Sequence, residues 1–180
     1  MSHQRFLIVD LGSQYAQLIA RRVREQRCFA EIVMPDVDVE RVMEAAGIIL
    51  SGSPWSAYDP DAPKVASELF GQGTPVLGIC YGMQLMTSLL GGEVGAAHAR
   101  EYGPAKIDVR TGGEGMFAGL GPRLDVWMSH GDRVERPPKG FEAIASTSSS
   151  PYAAIRDRER GLFGVQFHPE VTHTPRGSDI

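Results

Sequence analysis

Cysteine is scarce in this chain: two occur among 180 residues, Cys28 and Cys80. Cys28 follows Arg27 near the end of a helical pattern, whereas Cys80 lies between glycines, so the two do not read as a disulfide framework and a reducing compartment fits. Long apolar runs are lacking as well. None approaches the roughly 18 residues of a membrane span, and the first five residues lead directly into a strand pattern, so a soluble, cytoplasmic protein is expected. Basic residues have no surplus, since 18 Lys and Arg stand against 22 Asp and Glu for a formal charge of -4. That balance cannot neutralise a phosphate backbone, and nucleic acid is not expected as a partner. The chain also has no internal repeat, no helical H-E-x-x-H or cysteine pair for a metal, and no G-x-G-x-x-G opening its first helix.

What is present is enough apolar residue, 42%, for the core of one domain spanning 1–180. The first half alternates short apolar runs with longer amphipathic ones: strands at 6–9, 30–34, 47–50 and 75–79, and helices at 14–26 and 83–90. In the first helix Tyr15, Leu18, Ile19 and Val23 recur at helical spacing and are expected to pack on a sheet. In the second, Leu85, Met86, Leu89 and Leu90 form an apolar face closed by Gly91 and Gly92. The second half offers strands with few helices, at 105–109, 124–128, 141–145, 152–155 and 162–167. The expected fold is three-layer α/β/α, with a mostly parallel central sheet, helices on both faces and antiparallel additions.

Gly78-Ile79-Cys80-Tyr81-Gly82 has the form G-x-C-x-G between an apolar strand and a helix, the arrangement of a nucleophile elbow with Cys in place of Ser. A sharp strand-to-helix turn lifts the central side chain off the sheet, and flanking glycines let backbone approach a strained residue. The helix N-terminus there favours a thiolate, the form that attacks a carbonyl carbon. Most free cysteines are merely small buried hydrophobes; the glycine pair and the turn separate Cys80 from Cys28, which reads as structural.

A cysteine nucleophile needs an imidazole, and five are available: His3, His98, His130, His168 and His173. His168 ends the strand at 162–167 and is followed by Pro169 and Glu170, so in an extended stretch one carboxylate could orient that ring. His130, in Ser129-His130-Gly131-Asp132, also follows an apolar strand and has a carboxylate two residues on. Pattern alone leaves both open. The turn Ser51-Gly52-Ser53-Pro54, after the strand at 47–50, can present a backbone N–H to a developing oxyanion, with the amide of Tyr81 as second donor; it reads equally as an ordinary polar turn.

Gly78-Ile79-Cys80-Tyr81-Gly82-Met83-Gln84 together with Gly164-Val165-Gln166-Phe167-His168-Pro169-Glu170 resembles the class I glutamine amidotransferases, whose fold is flavodoxin-like. The segments 10–15, 19–25, 127–132 and 168–174 resemble the GMP synthase branch in particular, and the likeness extends over nearly the whole chain. The resemblance implies a Cys80, His168, Glu170 triad that hydrolyses L-glutamine through a thioester. It further implies ammonia delivered to an ATP pyrophosphatase domain or subunit that converts XMP to GMP. By the same resemblance Gly52, Gln84, Ser129, His130 and Asp132 hold glutamine, with 129–132 as a turn, and His130 shapes the pocket while His168 is the base. No cofactor is implied for this domain, ATP and magnesium belonging to the synthetase.

Two departures from the family pattern stand out. Ser53 occupies a position where the family usually has a second glycine, so the oxyanion loop is expected to rest in an unproductive orientation and basal activity to be low. The closing helix into which the family continues, and the pyrophosphate loop of the ATP pyrophosphatase domain after it, are not found in 1–180, which suggests a truncated domain or a separate subunit. The competing readings are another cysteine hydrolase on the same fold, or a non-catalytic regulatory module.

Overall fold

The computed structural model describes residues 4–110 and 115–180, and the side chains of 98–100 lie outside that description. In chain order the elements are β1 (Arg5–Val9), α1 (Ala16–Glu25), β2 (Phe29–Val33), α2 (Val39–Met43), β3 (Gly47–Leu50), β4 (Val76–Ile79) and α3 (Tyr81–Leu89). They continue with β5 (Glu93–Val109), β6 (Arg123–Arg136), β7 (Glu142–Ser146), β8 (Ala154–Asp157) and β9 (Leu162–Val165). Short 3-10 turns lie at Ser67–Gly71, Gly115–Phe117 and Gly177–Asp179.

Among the described residues the nine strands form one sheet, ordered β2-β1-β3-β4-β9-β8-β7-β5-β6. From β2 to β9 every neighbour is parallel; from β9 to β6 every neighbour is antiparallel. The antiparallel additions are therefore as extensive as the parallel half. In the parallel half the pleat sends alternate residues to opposite faces. Leu7 and Val9 of β1 pack with Val42 of α2, Phe70, and Tyr81, Leu85 and Met86 of α3. Ile8, between them, packs with Ile19 and Ala20 of α1 on the other face. Burial on both faces is why these strands read as continuous apolar runs.

Two helices differ from expectation. Tyr15 precedes α1; of the expected stripe Ile19 is buried and Val23 packs partly buried against the same core, joined by Ala16 and Ala20. α3 is buried at every position from Tyr81 to Thr87, so it is a core helix with no polar face. It ends where Gly91 (φ 85°) lets the Gly92 and Gly91 amides reach the Thr87 and Ser88 carbonyls at 2.8 and 3.2 Å, a Schellman closure.

The largest correction concerns β5 and β6, which form a long ribbon where only 105–109 and 124–128 were expected. Segment 129–132 is therefore strand, not turn. The buried positions of β6 alternate as Leu124, Val126, Met128 and then His130, and a histidine in the apolar register hides the continuation. Conversely, β9 stops at Val165, and 168–170 turns away from β4 toward β6 instead of running extended.

Candidate active site

Cys80 sits between β4 and α3 with φ 52° and ψ -107°. Apart from Arg27, it is the one described non-glycine residue with positive φ, a conformation that costs on the order of 1–3 kcal/mol and persists only where the surroundings impose it. The surroundings here are three glycines. A Cβ on Gly78 would stand 2.6 Å from both the Gly82 carbonyl carbon and the Met83 nitrogen. One on Gly82 would stand 2.4 Å from the Leu50 carbonyl oxygen, and one on Gly164, the β9 residue paired with Gly78, 2.6 Å from Met83 Cγ. The first turn of α3 thus rests directly on the backbone of β3, β4 and β9, and the chain can enter it only through a sharp turn at Cys80.

The strand order sets His168 beside this turn. β4 and β9 pair in parallel up to Ile79 and Val165, and the Cys80 amide continues the ladder to the Val165 carbonyl at 2.7 Å. Three residues later the His168 amide bonds the Trp127 carbonyl of β6 at 3.0 Å, while Thr174 Oγ1 donates to the His168 carbonyl at 2.7 Å and accepts from the Trp127 amide at 3.0 Å. His168 Nδ1 donates to Glu170 Oε1 at 2.8 Å, with both side chains buried. The Glu170 carbonyl is held by Arg22 Nε at 2.9 Å. Tyr15 meets the imidazole edge-on, ring centroids 5.5 Å apart. Burial alone would lower the His168 pKa, but hydrogen bonds and charge from Cys80 and Glu170 raise it from 6.5 to about 10.

His130 is arranged differently. Its Nδ1 lies 2.9 Å from the Asp132 carbonyl and its Nε2 2.9 Å from Glu101 Oε2, so the carboxylate beside it is Glu101 and not that of Asp132. Both ring nitrogens are engaged with acceptors, which leaves none for a neighbouring thiol. Of the other histidines, His3 and the His98 side chain lie outside the described residues, and His173 stacks on Trp127.

A cleft of about 730 Å³ opens at this edge, lined by Cys80, His168, Gly52, Ser53, Gln84, Ser129, His130 and Asp132. Gly52 is wedged at its centre, because a Cβ there would be 3.3 Å from His168 Cε1 and 4.0 Å from Cys80 Cβ. The Tyr81 side chain points away, its hydroxyl donating to the Pro63 carbonyl at 2.6 Å; its backbone amide opens α3, where helical N–H groups have no partner within the helix. No pattern in the sequence marked the rim aromatics Tyr58 and Tyr102. Trp55 and Tyr58 lie in an irregular loop, and Tyr102 precedes Gly103-Pro104, which masks the strand. Tyr58 ties Asp132 to the rim through a 3.0 Å hydrogen bond to Oδ1. Among the described residues no His, Cys, Asp and Glu side chains gather as a metal site, and no helix is long and apolar enough to cross a membrane.

The family model described as glutamine amidotransferase class-I matches residues 7–180. The chain belongs to the class-I glutamine amidotransferase family. This amidotransferase chain is 53% identical over 182 residues to a protein named GMP synthase [glutamine-hydrolyzing] from Thermomicrobium roseum, covering 99% of this chain and 34% of that one. A protein of the same name from Staphylococcus carnosus is 50% identical over 179 residues, covering 98% and 34%. The chain thus spans about a third of the length of these curated relatives. Among solved structures, a protein described as a GMP synthase subunit from Thermoplasma acidophilum superposes with a TM-score of 0.87 at 28% identity, covering 99% of this chain and 90% of that one. A glutamine amidotransferase from Thermotoga maritima, at 21% identity and a TM-score of 0.75, covering 95% and 78%, shares the fold.

Proposed function

We propose that this chain is the glutaminase unit of a GMP synthase, with Cys80 as nucleophile, His168 as acid and base, and Glu170 as the group that orients and charges the imidazole. The observation that carries the reading is a cysteine at positive φ beside a buried His–Glu pair, in a cleft whose other histidine has no nitrogen free. Imidazolium beside the sulfur is the counter-ion a thiolate needs. The thiolate attacks the carboxamide carbon of glutamine, and the oxyanion forms against the amides of Tyr81 and Ser53. His168 protonates the departing nitrogen, ammonia leaves and a Cys80 thioester remains. The imidazole, now neutral, takes a proton from water as its oxygen attacks the thioester carbon; collapse expels the Cys80 thiolate and glutamic acid, whose proton passes to ammonia, and the thiolate–imidazolium pair is restored.

Gly52, Gln84, Ser129, His130 and Asp132 form the glutamine pocket. In this chemistry sulfur, imidazole, carboxylate and amides suffice, and no cofactor is needed in the domain. The ammonia serves an ATP pyrophosphatase partner, where ATP and magnesium activate XMP for conversion to GMP in a cytoplasmic enzyme. Support for that partner comes from the 50–53% identity to proteins named GMP synthase.

The test is ammonia release from glutamine by the chain and by Cys80→Ala, with and without a GMP synthase ATP pyrophosphatase domain, XMP and ATP. Cys80-dependent release that the partner stimulates is expected. No release under any condition would overturn the enzymatic reading.

A further inference from the structure

Gln166 is fully buried and does not line the cleft, yet its side chain reaches the nucleophile. Parallel pairing of β4 with β9 puts residue 166 beside residue 80, and Gln166 Nε2 lies 3.5 Å from Cys80 Sγ, within hydrogen-bond range for sulfur. The other end of that amide, Oε1, is 3.2 Å from Gln84 Nε2, which also donates to the Asp132 carbonyl at 2.8 Å. A backbone carbonyl can only accept, so the Asp132 carbonyl fixes which end of Gln84 is its NH₂. That in turn requires Oε1 of Gln166 on the Gln84 side and leaves the Gln166 NH₂ aimed at sulfur. One main-chain oxygen on β6 thus orients two amides in series.

The sulfur has one further contact of opposite sense, the Ser129 carbonyl at 3.6 Å, which accepts from the thiol and favours the protonated form. The Gln166 N–H favours the thiolate. We propose that Gln166 is a catalytic residue for the Cys80 chemistry, a neutral donor held on the sulfur by Gln84 and the Asp132 carbonyl. The inference rests on the nucleophile reading above. It also gives Gln84 a second task, orienting Gln166 in addition to lining the cleft.

The titratable groups around the sulfur are His168 with Glu170 behind it, His130 with Glu101 and Asp132 from the β5–β6 ribbon, and Tyr15 before α1. None of them changes in Gln166→Met, which keeps length and removes the donor. The experiment is the rate of Cys80 alkylation by iodoacetamide against pH in the wild type, Gln166→Met and Gln84→Met, with Cys28 in the same chain as internal reference. In Gln166→Met the midpoint is expected about one pH unit higher, and at any pH well below both midpoints the rate is about tenfold lower, the two being the same change in thiolate fraction. Gln84→Met should shift the midpoint in the same direction by less, and it decides the matter if the Gln166 variant does not fold. Lost packing alone would lower the melting temperature and leave the midpoint in place. A wild-type Cys80 that reacts fast, with both variants within twofold of it, overturns the role of Gln166 alone. A wild-type Cys80 no faster than Cys28 overturns the nucleophile reading and this inference together.

Discussion

Gly78→Ala isolates the device that creates the elbow. The added methyl would meet the Gly82 carbonyl carbon and Met83 nitrogen at 2.6 Å and the Gly82 oxygen at 2.7 Å, all backbone of the first turn of α3. That turn cannot retreat, since a Cβ on Gly82 would in its turn stand 2.4 Å from the Leu50 carbonyl oxygen. Overpacking of a close-packed core costs about 1–3 kcal/mol where side chains can adjust, and a clash with immovable backbone belongs at or above the upper end, about 3 kcal/mol. For a domain of this size about 2–4 °C of melting temperature is lost per kcal/mol, so the variant should melt about 6–12 °C lower. Gly164→Ala should cost less, because its contact at 2.6 Å is Met83 Cγ, the movable part of a flexible side chain. Gly71→Ala is the control: nothing lies within 4 Å and its φ is not positive, so it should hold or gain up to about 1 kcal/mol. Calorimetry of the three variants, with iodoacetamide labelling of Cys80, reads the result. If Gly78→Ala melts within about 2 °C of the wild type, close helix-to-sheet contact is not what imposes the strained turn.

Glu170→Gln keeps an acceptor for His168 Nδ1 but removes the charge, so glutamine hydrolysis should fall by about 10²–10⁴ without loss of fold, measured as initial rate. The same variant has a pH signature. The His168 pKa is raised from 6.5 to about 10, so its contribution to stability is complete below about pH 6.5 and disappears as pH climbs through 10. Melting curves should therefore show the wild type losing more stability than Glu170→Gln between those limits, and parallel curves would contradict the pairing. Tyr81→Phe leaves the backbone amide in place but takes the donor from the partly buried Pro63 carbonyl, at a cost of about 0.5–1.5 kcal/mol seen in denaturant unfolding, with hydrolysis little changed. The Tyr81 hydroxyl is pushed up to about 12 by burial and then by Asp59, so the ultraviolet phenolate titrations of the wild type and Tyr81→Phe should coincide up to about pH 10 and differ only above it. Ser53 lacks positive φ. Ser53→Gly should raise partner-free ammonia release about tenfold or more, since one oxyanion donor is commonly worth about 10²–10³; an unchanged rate would show the loop is not what limits it.

The parallel half was legible because each strand obeys one local rule, an apolar run bounded by turn residues, and α1 and α3 followed from their periodicity; the short helix α2 was not expected. The elbow was legible because Gly78, Cys80 and Gly82 stand within five residues of one another and Gly78 is fixed by Gly82 and Met83; the contacts that fix Gly82 and Gly164, to Leu50 and Met83, lie far apart in sequence. The β5–β6 ribbon was not. His130 occupies an inward position in the apolar register because its two nitrogens are satisfied by Asp132 and Glu101, and that pairing crosses 29 residues of sequence. Tyr15 looked like part of a core stripe for a similar reason. Its periodicity with Ile19 is genuine, but the chain reaches helical geometry only at Ala16, and the ring rests on His168 instead. Gln166 went unnoticed because a glutamine at the end of a strand carries no chemical signal until strand order puts it beside a sulfur.

Strand order also explains why the site stands where it does. Among the described residues β9 is the one strand with a parallel neighbour on one side and an antiparallel neighbour on the other. Its parallel edge delivers Gln166 to Cys80. Past its end the chain cannot continue along β4, which has already turned into α3, so it crosses to β6 and fixes His168 there through Trp127 and Thr174. The nucleophile and imidazole are thus anchored to opposite halves of the sheet, and Gln84 spans the seam through Asp132 and Gln166. A perturbation of β6 should then move the imidazole relative to the sulfur while leaving the elbow itself intact. Replacing Thr174 with Val, which removes both hydroxyl bonds at similar volume, should accordingly lower turnover about tenfold or more, as small misplacements of reacting groups do, while iodoacetamide still labels Cys80. Equal loss of labelling and turnover would mean that the two halves do not act as separate supports.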